Sequence, residues 1–364
     1  MMVYQNKNEH LADRFEDWWN RDNHGLPLMD VVALRDDAVW TVQPPTDPAM
    51  QYLDAEYLLA AQRERLRNCI FLGDSFAALS ADLGPGSLAL YLGTEPHFAK
   101  DTVWYEPCIR DIEEEPQFAF DPENKWWKLH TELIRKVKAA AGKDFLVNIP
   151  DLIENMDIYS AMRGPQDAIF DMMDEPEKVA RAVEQIDSTY FRYYDAMYDL
   201  VRDEDGLASY TAFAILGKGR VAKIQCDFSA MISPQQFRRF VLPSLKKQAA
   251  QLDHTLYHLD GPDAIRHVPA IMEIEDLDAL QWTCGAGQPD GACPRWYPIY
   301  DQVTAAGKGL WVQIYDGGPE DWIRSTDSLL ERYGSKGFYF HYPWMKEAEA
   351  EKLMTYAETH WKDR

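Results

Sequence analysis

The sequence predicts an α/β fold, a (β/α)8 TIM barrel with an N-terminal helical extension, on three observations. Short apolar runs alternate with longer amphipathic stretches along most of the chain, the pattern of a parallel sheet covered by helices. The 364 residues, 46% of them hydrophobic, are enough to bury one large core and to supply eight strand–helix units. No Gly-x-Gly-x-x-Gly follows an apolar run, which sets aside an open dinucleotide-binding sheet.

Taken in order, residues 1–26 are polar and then helical in period, and are expected to form an extension ahead of a single barrel domain over 27–364. Strands are expected over 28–34, 69–73, 87–92, 145–149, 221–226, 255–259, 277–282, 310–315 and 337–341, each a short apolar run. Two helices are well marked. Pro176 opens one in which Val179, Val183 and Ile186 form a stripe for the core. Ser233-Pro234 opens the other with a capping hydroxyl before a proline, Phe237, Phe240, Val241 and Leu245 recur at helical spacing, and Pro243 is expected to kink it. Trp18-Trp19 and Trp126-Trp127 are expected to pack helices against the sheet.

Composition narrows the partners. Sixty acidic residues against 37 basic ones give a formal charge of −23, a field that repels phosphate backbones and anionic membrane surfaces. Nucleic acid and membrane partners are therefore not expected. The five cysteines form no Cys-x-x-Cys pair, which argues against a disulfide framework or an all-thiolate zinc site. The first ten residues lack the apolar centre of a signal peptide, and no run of about 18 apolar residues occurs, so the expected location is cytoplasmic.

In a barrel, reacting groups sit at the carboxyl ends of strands, so the polar residues just after the apolar runs are the candidates. The foremost is Leu256-Tyr257-His258-Leu259-Asp260-Gly261. Side chains two apart on a strand point the same way, so His258 and Asp260 can converge on one ion or one substrate group. Asp74 and Asp227 end other runs and are expected to orient substrate. Asn148, Gln281, Trp282, Gln313 and Tyr315 end further runs and are candidate substrate contacts. Imidazole with carboxylate serves either general acid–base work or a metal, with His341 or Cys284 as a third ligand from another strand. Twelve Trp and 19 Tyr could partly line a pocket for a flat or sugar-like ligand. No Gly-x-Ser-x-Gly elbow is present, which sets aside a serine hydrolase of that type.

Several motifs stand in a recognisable order. Met162-Arg163-Gly164, Asp174-Glu175-Pro176-Glu177, Ile232-Ser233-Pro234-Gln235-Gln236-Phe237, Val241-Leu242-Pro243-Ser244-Leu245 and His258-Leu259-Asp260-Gly261 together resemble the uroporphyrinogen decarboxylase superfamily, which includes corrinoid- and coenzyme-M-linked methyltransferases. Arg14-Phe15-Glu16-Asp17-Trp18-Trp19, Gly84-Pro85-Gly86 and Gln281-Trp282 are similar to a poorly characterised branch of it. The resemblance implies a barrel with a deep pocket at the strand carboxyl ends, and pairing into a homodimer. The Arg-Gln-Ala-Gly-Arg segment of the decarboxylases is missing, which argues against a porphyrinogen substrate. The methyltransferases carry His-x-Cys and a later Cys as zinc ligands; here the second position is Asp260, and Phe340-His341-Tyr342-Pro343 offers no thiol. The expectation is thus a methyltransferase-like enzyme for a small methylated compound, with zinc or another divalent ion on His258, Asp260 and His341, and a corrinoid carried by a partner protein. The alternatives are a lyase or decarboxylase for a small non-porphyrin acid, and a non-catalytic ligand-binding barrel.

Overall fold

The computed structural model describes residues 8–114, 116–362 and 364, so expectations for residues 1–7 lie outside the described residues. Its centre is a mixed α/β layer. Six parallel strands lie side by side in the order Val221–Gln225, His254–Asp260, Ala279–Thr283, Gly309–Gln313, Phe338–His341 and Leu28–Leu34. The last five strands of that chain order are joined through helical segments, as parallel neighbours require, and the first strand of the chain lies against the last of the six. Register is continuous: His258 stands opposite Gln225 on one side and Gln281 on the other, and Gln281 opposite Trp311.

Shorter ladders lie off this path. Ala78–Leu79 pairs in parallel with Leu146–Val147, Ile149 bridges Tyr210 in parallel, and Leu207–Ser209 turns back on Leu216–Lys218. Among the described residues no ladder joins Ala78–Leu79 to Leu28–Leu34, or Leu207–Ser209 to Val221–Gln225. The sequence expects parallel staves throughout, but Cys69–Gly73 runs antiparallel to Leu28–Leu34. The expected strand over 87–92 is a single helical turn, Leu88–Tyr91. Its four residues are buried on every side, so the run is apolar without any pleat, an ambiguity that a short apolar run always carries.

The helices start where capping chemistry directs. The Ser233 hydroxyl accepts from the Gln236 amide N–H at 3.2 Å while Oε1 of Gln236 accepts from that of Ser233 at 2.9 Å. Pro243 has no N–H to give to the preceding turn, and the helix breaks at Val241 into Pro234–Phe240 and Leu242–Ala249. Pro176–Val201 buries Val179, Val183 and Ile186, and continues the same stripe through Tyr190, Tyr194 and Met197.

The opening helix, Asn8–Trp19, is built into the core of the sheet, with Phe15 and Trp18 fully buried. Its indoles donate to carbonyls beside the amino ends of strands, Trp18 Nε1 to Gly337 at 3.0 Å and Trp19 Nε1 to Leu216 at 2.8 Å. The helix therefore covers the amino end of the sheet and leaves the carboxyl end open. Among the described residues no helix is long and apolar enough to cross a membrane.

Candidate functional site

At that open end the structure gathers Asp227, His258 and Asp260. One ligand atom from each lies within 4.8 Å of the other two, and among the described residues no other group of three or more His, Cys, Asp or Glu does so. His258 and Asp260 come from one strand, two residues apart on the same face. Asp227 comes from the turn after the neighbouring strand, with its Oδ1 3.9 Å from His258 Nε2. Ligands bound to one ion at about 2.0–2.2 Å lie no more than about 4.4 Å apart, so small side-chain rotations bring the three onto one ion.

The hydrogen bonds around His258 set its chemistry. Its Nδ1 is 2.5 Å from Gln281 Oε1, and Gln281 Nε2 donates to Thr283 Oγ1 at 2.9 Å. The amide is thereby oriented with its oxygen toward the imidazole, so Nδ1 carries the proton and Nε2 faces Asp227 with its lone pair. Burial holds the imidazole below its ordinary pKa, and the Lys223 ammonium adds to the effect. A neutral ring with a free Nε2 is the form that binds a cation.

Asp227 is propped from beneath. Its amide N–H and that of Phe228 donate to the Asp157 carboxylate at 2.9 and 2.8 Å, and Gln225 Nε2 donates to the same carboxylate at 2.9 Å. Burial, and then the Asp157 charge, push the Asp227 carboxyl up to about 7. Deeper in, the buried Lys223 ammonium donates to Asp151 at 2.8 Å and to the Gln225 side chain, and Tyr210 donates to Asp151 at 2.9 Å. Asp157 escapes sequence reading because it sits in the first turn of the helix Asn155–Arg163 and follows no apolar run. Lys223 escapes because it lies inside a strand that otherwise reads as core.

Two clefts reach this group, one with Asp227 in its wall and the other with Asp260. One, of about 430 Å³, includes Gln225, Asp227, Trp104, Ile158, Phe228 and Met231 in its wall and is mostly apolar. The other, of about 410 Å³, includes Asp260, Thr283, Cys284, Gln313 and Tyr315. Gln313 and Tyr315 thus lie beside Asp260, and Asp227 opens onto the opposite cleft.

Other candidates are placed elsewhere. Asp74 follows the antiparallel strand, so its carboxyl end points toward the start of Leu28–Leu34 and away from the site. There the carboxylate takes a two-pronged contact from Arg14 at 2.9 Å on each oxygen, and the Met29 N–H at 2.9 Å. His341 lies outside the group, with its Nε2 3.3 Å from the buried carboxylate of Asp30 and its ring against Trp311 at 5.1 Å. Asn148 has both ends of its amide engaged, by Ser80 at 2.8 Å and Ser209 at 2.6 Å, a crosslink between strands. Gln281 is fully buried and serves His258, and Trp282, also on that strand, packs edge-on against Trp296 at 5.1 Å and belongs to the wall of the cleft that holds Asp260. The Cys284 thiol, buried near Asp290 and Asp316, is pushed up to about 12 and stays protonated at neutral pH.

No protein-family model matches the chain, and no curated protein does. Among solved structures 21 chains match. One is a methyltransferase from Methanosarcina mazei, with a TM-score of 0.62 and 13% identity, over 96% of this chain and 98% of that one. At that identity the likeness is one of fold, held along nearly the whole of both chains.

Proposed function

We propose that this protein is a methyltransferase of the uroporphyrinogen decarboxylase superfamily type, which takes a methyl group from a small methylated or methoxylated compound and passes it to a corrinoid on a partner protein. One observation carries the reading: Asp227, His258 and Asp260 converge with Asp227 in the wall of one cleft and Asp260 in the wall of another, and a group transfer needs a donor and an acceptor on either side of one centre. The fold shared with the Methanosarcina mazei methyltransferase supports it. In this reading the sheet closes as a TIM barrel, through the ladder of Ala78–Leu79 with Leu146–Val147 and the Ile149–Tyr210 bridge.

One imidazole nitrogen and two carboxylates suit zinc or another divalent ion with a preference for oxygen donors, with a position left open. When bound, such an ion supplies Lewis acidity to a substrate heteroatom. The residues of the chain do the rest. Gln281 fixes the His258 tautomer, Asp157 holds the turn that carries Asp227, and Trp104, Phe228 and Met231 offer apolar contact to the donor. Gln313 and Tyr315 contact the second reactant beside Asp260.

The Asp227 carboxyl, pushed up to about 7, favours a second reading: a metal-free lyase or decarboxylase that uses it as a general acid on a small non-porphyrin acid. Elemental analysis of the purified protein separates the two. The methyltransferase reading expects about one divalent ion per chain, lost in His258→Ala, and methylation of added cob(I)alamin by one member of a panel of methyl ethers, methylamines and methyl thioethers. A metal-free protein that methylates cob(I)alamin from no member of the panel sinks it.

A further inference from the structure

The hairpin between Leu207–Ser209 and Leu216–Lys218 ends in a turn whose sequence is at odds with its backbone. Phe213 and Ala214 are consecutive and both left-handed, with φ of 62° and 47°. Ser209 stands opposite Leu216 and the Tyr210 N–H donates to the Ile215 carbonyl at 3.0 Å, so residues 211–214 form the loop, and a side chain at each of two successive left-handed positions in it is strained. Other strands hold the tip in place: Trp311 Nε1 donates to the Phe213 carbonyl at 2.9 Å, and the Tyr339 hydroxyl to that of Ala214 at 3.0 Å. The hairpin's return strand is tied by Trp19 at Leu216. The Phe213 ring so presented lies 4.9 Å from the His258 ring, inclined by 37°, and 5.3 Å from Trp311.

Strain retained beside a reacting group points to a role for the strained residue there. The Gln281 hydrogen bond anchors one atom of the imidazole but leaves its plane free to turn about that anchor. A ring pressed on its face removes that freedom.

We infer that Phe213 is a positioning residue: the strained tip Phe213–Ala214 clamps the plane of His258 so that Nε2 stays aimed at Asp227 and Asp260. Through Trp311 the same ring chain continues to His341, which keeps the second imidazole packed apart from the first. The inference rests on the metal reading of the site, but part of its test does not.

Full-length protein and the variants Phe213→Ala and Phe213→Tyr are titrated with Co²⁺ and followed by visible absorption. Phe213→Ala is expected to bind 10- to 100-fold more weakly, the usual effect of losing a residue that orients a ligand, with an altered ligand-field band. Phe213→Tyr keeps the ring and is expected to keep the wild-type spectrum. Wild-type affinity and spectrum in Phe213→Ala overturn the inference. Wild type that takes up no Co²⁺ overturns the metal reading instead. The clamp is then judged on metal-free protein by ¹H–¹³C residual dipolar couplings of the His258 ring, expected to report one ring orientation in wild type and averaging in Phe213→Ala; one fixed orientation in both overturns it. Ala214→Gly, which relieves the turn, is expected to raise the melting temperature, and a fall would remove the strain on which the argument stands.

Discussion

His258 Nδ1 and Gln281 Oε1 face each other at 2.5 Å across two neighbouring parallel strands, at positions that are direct register partners. The sheet itself therefore sets the geometry of the pair. Gln281→Leu keeps the volume and removes the acceptor, and is expected to lower divalent-metal affinity by about 10- to 100-fold without unfolding the chain. A chelator-competition titration measures this, and an unchanged affinity would mean that the contact does not orient the ring.

The two imidazoles named by the sequence are expected to behave differently. His258→Ala should release the bound ion, because it removes the only nitrogen of the Asp227, His258 and Asp260 group. His341→Ala should leave the metal content as it was, since that ring is occupied with Asp30 and Trp311. Elemental analysis of both variants decides it, and equal loss from both would place His341 among the ligands after all.

Asp74 is expected to be a stability residue. Asp74→Ala takes the carboxylate from Arg14, which keeps the carbonyls of Leu26 and Pro27, and frees the Met29 N–H, a loss of about 1–3 kcal/mol for a partly buried pair. Urea unfolding reads that loss. Metal content should not move, and a variant with normal stability and altered metal binding would contradict the placement.

Asp82 gives a pH signature. Burial and the neighbouring Asp151 charge push its carboxyl up to about 7 from an ordinary 3.8. Between those values the unfolded chain gives up the proton while the folded one keeps it, so this group makes the fold less stable as pH rises through the window. Asp82→Asn abolishes that slope. Its melting temperature should match wild type near pH 4 and exceed it at pH 8, and a constant difference across the range would show that Asp82 does not titrate as described.

Much of the scaffold was legible because burial writes itself into short apolar runs. The strands around His258, Gln281 and Gln313 fall within a residue or two of the runs that announce them, and Ser233-Pro234 marks its helix to the residue. Strand direction was not legible. Cys69–Gly73 is as apolar as its parallel neighbours, and nothing in its composition reveals that it runs the other way and carries Asp74 to the far end. Side-chain alternation was legible: it aligns His258 with Asp260, and the strand-end position of Trp282 suggested a cleft residue, which it is, beside Asp260 and packed on Trp296. The supporting residues Asp157, Lys223 and Phe213 were hidden because each acts across long sequence separations, and a periodicity reading contains only local ones.

The bond from Trp18 to the carbonyl of Gly337 spans 319 positions of the chain. At a synthesis rate of about 5–20 residues per second, about a quarter of a minute to a minute separates the appearance of its two ends. Through that interval Phe15 and Trp18 of the first helix lack the Tyr339 ring on which both finally pack edge-on. Biosynthesis thus leaves part of an aromatic surface uncovered from the first helix until the strand Phe338–His341 is made, the period in which a holdase would have something to hold.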